Sequence, residues 1–155
     1  MKLMDIFAAD AIVPELAATT RDETIKELVT ALADAGSIPK RSVDEIVKAI
    51  LARENQATTG IGKGVALPHA KMAKIKKPVG AIGRSSDGID FRALDSKPVH
   101  SVILMVSSSD DPETHLSAME AIFKHVQRDM FRKFLRQSET ADAVIDLLQE
   151  ADELG

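Results

Sequence analysis

The sequence predicts an α/β or α+β domain in which helices cover a mixed sheet, and three observations carry this. Capped apolar stripes of helical period stand near the start, short apolar segments bounded by Gly, Pro and Ser fill the middle, and helical patterning returns towards the end. Between the last two lies Ile103–Val106, an unbroken apolar run. A run that does not alternate belongs to a central strand covered on both faces.

Thr20-Arg21-Asp22-Glu23 is a capping box, in which the Thr hydroxyl accepts from the third amide while Glu23 reaches back. Ile25, Leu28, Val29 and Leu32 then repeat at helical spacing, and Gly36 ends the helix. Ser42 to Glu45 repeats the device, and Val43, Ile46, Val47, Ile50 and Leu51 predict a second helix to about Arg53, followed by a loop "ENQATTG". The segments "GVALP", "KPVGAIGRS" and "KPVHSVILMVSS" read as strands, and "SSDG" before "IDFRAL" as a hairpin turn. Asp110-Asp111-Pro112-Glu113 marks a helix start, with Leu116, Met119, Phe123 and Val126 as its inward stripe. A last helix starts near Ser138 and buries Val144, Ile145, Leu147 and Leu148.

At 155 residues the chain suits one domain spanning 1–155. With no Trp or Tyr and only five Phe, its core is built from Leu, Ile, Val, Ala and Met. The absence of Cys excludes disulfides, thiol nucleophiles and thiolate-bound zinc, and fits a reducing compartment, with a cytoplasmic location as the expectation. The start "MKLMDIFAADAIVPELAA" has a leader-like look, but Asp5 and Asp10 interrupt it, so no signal peptide is read. No run approaches the roughly 18 apolar residues of a membrane span, so no membrane insertion is expected. A net charge of -4 gives no field that attracts a nucleic-acid backbone.

Thr58 to Ala70 reads "TTGIGKGVALPHA". A P-loop needs Ser or Thr after Gly-Lys, and Gly62-Lys63 is followed by Gly64. The dinucleotide fingerprint needs a third glycine where Val65 stands. No nucleotide cofactor is therefore expected. The glycines either turn the chain tightly between two strands or form a nest of amides for a phosphoryl group.

The histidines are His69, His100, His115 and His125, without HExxH or other ligand spacing, so no metal is expected. His100 alternates within a strand pattern, and His125 lies on a different helix face from His115. His69 stands apart. Pro68 fixes its own φ and extends Leu67, so the imidazole is presented at a strand end. His115 falls in the first turn of its helix, where the dipole disfavours the imidazolium. A neutral His69 can attack phosphorus, and the phosphoryl group so formed needs donors or cations, for which His115 and an arginine are candidates.

The run "RENQATTGIGKGVALPHA", Arg53 to Ala70, resembles the phosphorylation-site signature of enzyme IIA of the fructose/mannitol class in the phosphoenolpyruvate-dependent phosphotransferase system. The similarity continues through "KKPVGAIGRSSDGIDFRALDSKPVHSVILMVSS" and "HLSAMEAI", and is nearest to the stand-alone nitrogen-regulatory type, the PtsN-like proteins. The resemblance implies a mixed β-sheet sandwiched between α-helices in the α/β class. It also implies a phosphotransferase component that takes a phosphoryl group on His69 from an HPr- or NPr-like donor, with His115 as second active-site histidine and Arg53 beside it. Thr58, Thr59 and Gly60, through hydroxyls or amides, are the expected remainder of the phosphoryl cradle. Expected partners downstream are target proteins regulated by phosphorylation state. A sugar-specific enzyme IIA passing phosphate to a IIB component is an alternative, as is a binding module without phosphotransfer. Leu67, Met72 and Ile75 form either an apolar docking patch or ordinary strand packing.

Overall fold

In the computed structural model, which describes residues 1–155, Thr20 is extended and its hydroxyl accepts from the Glu23 amide while donating to the Glu23 carboxylate. Helix α1 (Arg21–Asp34) starts there and buries Ile25, Leu28, Val29 and Leu32. It ends at Gly36, whose φ of 78° is the left-handed stop that a glycine accepts without strain. The second box does not form. A single 3-10 turn, Lys40–Ser42, leads directly into α2 (Val43–Gln56), so Ser42 already has helical dihedrals and its hydroxyl caps nothing. Helix α2 also runs past Arg53, which makes Glu54, Asn55 and Gln56 its last turn and not part of a loop.

Six strands form one mixed sheet: β1 (Phe7–Val13), β2 (Gly60–Gly62), β3 (Val65–Ala66), β4 (His69–Met72), β5 (Val79–Ile89) and β6 (Val99–Ser108). The order is β1-β5-β6-β3-β2, with β4 also on β6. β5 runs antiparallel to β6 along one edge, while β3 and then β4 run parallel to the other. β1 is parallel to β5 and β2 antiparallel to β3. The expected turn at "SSDG" is instead an irregularity inside β5, where the register with β6 shifts between Arg84 and Ile89 and Gly88 takes a φ of 88°. A bulge absorbs the extra residues without reversing the chain.

Strand β6 shows the alternation that its uniform apolar sequence hides. Val102, Leu104 and Val106 enter one core with Leu28, Val29, Ile46 and Ile50 of α1 and α2. Ile103 and Met105 enter a second core with the helices of the other face, α3 (Pro112–Val126), α4 (Asp129–Gln137) and α5 (Ala141–Leu154). This is the mixed sheet sandwiched between helices that the resemblance implied.

Helix α3 is capped by Asp111, whose carboxylate accepts from the Thr114 amide. Its inward face is only partly the expected one, with Val126 buried and Met119 partly covered as patterned. Ala118, Ile122 and Val126 are buried, whereas Leu116 and Phe123 are 57% and 42% exposed. Helix α5 starts at Thr140, which caps the Ala143 amide, and buries Val144 and Leu148, with Ile145 and Leu147 partly covered. No helix is long and apolar enough to cross a membrane.

Candidate active site

The site begins with a break in a strand edge. β3 ends at Ala66, and Pro68, with no N–H to give, offers β6 only its carbonyl, which accepts from the Met105 amide at 3.0 Å. β4 then resumes the pairing with His69 opposite Met105 and Lys71 opposite Ser107. Ala70 belongs to the α1/α2 core, so its neighbours His69 and Lys71 face the α3 side.

His69 Nδ1 lies 2.8 Å from the Leu67 carbonyl oxygen. A carbonyl only accepts, so Nδ1 carries the proton, and in the neutral ring Nε2 holds a free lone pair. Burial favours that neutral ring and holds the pKa below the usual histidine value, against the bond to Leu67; Arg53 and Lys71 lower it further and Glu54 raises it. His115 comes from the first turn of α3, with its ring centroid 5.7 Å from that of His69 and the planes at 43°. Its Nδ1 makes a short contact with the hydroxyl of Ser107, a buried residue of β6. A hydroxyl can donate as well as accept, so Ser107 can hold His115 with Nε2 protonated and ready to donate. The pKa of His115 is also lowered, first by burial and then by His69 and Lys71. Sequence patterning attributed that neutrality to the helix dipole; in the folded chain burial is the largest cause.

Arg53 stands in the last turn of α2, half-buried, with Nη1 donating to the Ala57 carbonyl at 2.9 Å. The His69 and His115 rings thus stand side by side, and Arg53 lies near enough for its charge to act on His69. The neighbouring Glu54, which sequence reasoning passed over, is only 3% exposed. Its carboxylate accepts from the Thr59 amide at 2.7 Å and from the Thr59 hydroxyl at 2.6 Å. The Thr58 hydroxyl donates to the Phe91 carbonyl at 2.7 Å and accepts from the Gly60 amide at 3.0 Å. So these donors of Thr58, Thr59 and Gly60 are already engaged, by Phe91, Glu54 and Thr58 respectively, and the Thr59 carbonyl accepts from the Leu67 amide, which ties this stretch to the site. A signal for Glu54 did exist: an acid five residues before a Thr, at a helix end that meets a loop.

The glycine stretch is a hairpin. Gly62 pairs with Val65, and the two residues between, Lys63 and Gly64, have φ of 58° and 80°, the positive pair of a primed type I turn. The Lys63 amide donates to Asp95, and the Gly64 carbonyl accepts from His100 and Ser101. Val65 faces Ser101 and His69 faces Met105, so four strand positions, about 13 Å, separate the near end of the hairpin from His69. Leu67 and Ile75 are buried in the two cores and Met72 is partly covered, so strand packing, and not a docking patch, accounts for them. His100 bonds the Ser85 carbonyl through Nδ1, and His125 is buried against Phe131.

A family model described as "Phosphoenolpyruvate-dependent sugar phosphotransferase system, EIIA 2" matches residues 5–151. The chain belongs to this EIIA family. It is 36% identical over 98% of its length to the PTS system fructose-specific EIIABC component of Bacillus subtilis (strain 168), and spans 24% of that protein. It is 32% identical over 96% of its length to a nitrogen regulatory protein of Bradyrhizobium diazoefficiens, of which it spans 95%. The solved structure of the nitrogen regulatory protein IIA-Ntr from Neisseria meningitidis superposes with a TM-score of 0.83 at 25% identity, covering 93% of this chain and 97% of that one. Relatives of sugar-specific and nitrogen-regulatory name thus align over nearly the whole chain at 36% and 32% identity, consistent with a phosphocarrier component of such a system.

Proposed function

We propose that this EIIA protein accepts a phosphoryl group on Nε2 of His69 from an HPr- or NPr-like donor and controls target proteins by its phosphorylation state. The observation that supports the atom is the bond from Nδ1 to the Leu67 carbonyl, which leaves Nε2 as the free lone pair. In the transfer, Nε2 forms a bond to phosphorus as the bond between phosphorus and donor breaks, and that electron pair stays with the donor. Nδ1 keeps its proton on Leu67. The phosphoryl oxygens then carry nearly two negative charges against one positive charge on the ring that keeps its Nδ1 proton, and the Arg53 guanidinium offsets the excess while His115 Nε2–H donates to a phosphoryl oxygen.

The experiment is incubation with a phosphorylated HPr-like donor, then mapping of the acid-labile phosphate by mass spectrometry and of the substituted ring nitrogen by NMR. Phosphate on His69 Nε2 is expected. Phosphate on Nδ1 or on His115 sinks the assignment. The 36% identity to a fructose-specific relative favours a second reading, transfer onward to a IIB component. Efficient transfer to sugar-specific IIB proteins, with no partner in a pull-down that distinguishes phosphorylated from unphosphorylated protein, would select it over the regulatory one.

A further inference from the structure

Away from His69, on the α3–α5 side of the sheet, α4 and the tip of the β2–β3 hairpin enclose an open groove of about 740 Å³ with no apolar residue in its lining. Lys63, Arg84, Arg132, Lys133 and Arg136 line it, against Asp129 and Glu139. Cations outnumber carboxylates five to two in a protein whose net charge is -4. Of the five, only Arg132 has an ion-pair partner, Asp129.

Arg84 is the least ordinary of them. It is 8% exposed and has no ion pair, and its hydrogen bonds go to carbonyls alone, with Glu15 near enough to feel its charge: Nε donates to Leu135 and Arg136 at 3.0 Å each, Nη1 to Pro14 at 2.8 Å, and Nη2 to Arg136 in a short contact. Buried charges are normally paired. The negative end of the α4 dipole accounts for part of its stability there. It does not account for Lys63, Lys133 and Arg136, which are exposed and converge on the same groove without a carboxylate of their own. Two guanidinium N–H groups of Arg84 remain beyond those four bonds. Lys63, moreover, occupies a turn position that favours Asn, Asp or Gly.

We propose that this groove is a second anion-binding site, distinct from the phosphoryl site, and that it takes a compact polyanion of the pyrophosphate or bisphosphate class. The chemistry selects that class: excess positive charge calls for multiple negative groups, and a lining without apolar side chains gives a nucleobase nothing to stack on. The volume is ample for two hydrated phosphoryl groups. Arg84 stands opposite Ser101, as Val65 does, four positions along β6 from the Met105 that faces His69, about 13 Å, so a compact ligand held by Arg84 does not bridge the two sites. The inference stands whether or not His69 is phosphorylated.

The test is calorimetric titration of the full chain with inorganic pyrophosphate at a constant ionic strength of about 0.15 M, where screening suppresses diffuse attraction. Sulfate at equal ionic strength is the control, and backbone NMR shifts locate the ligand. Saturable one-site binding is expected, with shifts at residues 62–64 and 132–137. Lys133→Glu with Arg136→Glu, two exposed positions, should weaken it by about tenfold or more, and Lys63→Asn, which suits the turn, should weaken it less. His69→Ala should bind as wild type does. No saturation beyond the sulfate control overturns the proposal, as does equal affinity in the double variant. So does loss of binding in His69→Ala with retention in the double variant, which would put the anion at the phosphoryl site instead. A stable complex with an acidic protein but none with pyrophosphate also overturns it.

Discussion

The Lys63-Gly64 turn and His69 are adjacent features of one short stretch, but the chain uses them for opposite purposes. At the turn the polar backbone groups are consumed by neighbours: Asp95 takes the Lys63 amide, and His100 and Ser101 fill the Gly64 carbonyl. At His69 one ring nitrogen is tied to Leu67 and the other is left with its lone pair. Glycine enrichment alone therefore does not mark an anion cradle; what decides is whether the amides still have something to give. The same criterion separates Arg53, whose guanidinium has donors beyond its one bond to Ala57, from Thr59, whose amide and hydroxyl both go to Glu54.

The largest effect is expected from His69→Ala, which should accept no phosphate while folding normally; labelling at the wild-type rate would break the contrast. Arg53→Met comes next. Loss of a charged hydrogen bond worth about 1.5–3 kcal/mol should slow transfer roughly ten- to a hundredfold, with little change in thermal stability. A large loss of stability with normal transfer would make Arg53 structural. On the hairpin the signature should appear in stability and not in rate. A Cβ on Gly60 would stand 2.9 Å from both Cα and Cβ of Ala93, so Gly60→Val should cost about 1–3 kcal/mol in denaturant unfolding. Gly64→Ala has open space, meeting only His100 at 3.9 Å, so left-handed strain of about 1 kcal/mol is its whole cost, and phosphoryl acceptance should be unchanged.

The smallest effect is that of mild acid on phosphoryl acceptance. Burial lowers the pKa of both His69 and His115, so His69 remains mostly neutral at pH 6.5 and the half-point of the decline in rate should fall below that value. Stability follows the same sign. A histidine whose folded pKa is depressed, as it also is by burial at His125, contributes stability fully above the unfolded pKa and loses it as pH falls through the folded one. Denaturation midpoints measured between pH 8 and pH 5 should therefore decrease with acid; an increase would contradict the burial of these rings.

The strongly periodic parts of the fold were legible because local and global preferences agree there. The Thr20 box, the central strand at Ile103–Val106 and the Asp111 start of α3 all stand where patterning puts them. β1 was not legible. Ala8, Ala9 and Asp10 are exposed and its register with β5 shifts between Phe7 and Ile12, so no alternation survives to be read. α4 escaped notice because it is nine residues long with no side-chain cap. Leu116 and Phe123 misled because an apolar stripe shows period but not which way it faces. At the site, the Pro-His setting and the resemblance singled out His69, His115 and Arg53, and the fold places His69 beside His115. Glu54 had only the spacing to Thr59 to mark it and Ser107 nothing, since their bonds to Thr59 and His115 form only in the folded chain.

Strand β6 has no free edge, with β5 along one side and β3 then β4 end to end along the other, whereas β4 is a four-residue strand paired on one side only. Elements so different in enclosure open to solvent by different routes, the first only with global unfolding and the second by local fraying. Amide deuterium exchange should accordingly be slowest in β6 and faster in Ala70–Met72. The His69 imidazole thus rides on the strand paired on one side only, and the serine that holds His115 stands on the strand enclosed on both. Loading the ring with phosphate should register as a change in the exchange of β4 while the clock of β6 keeps its rate.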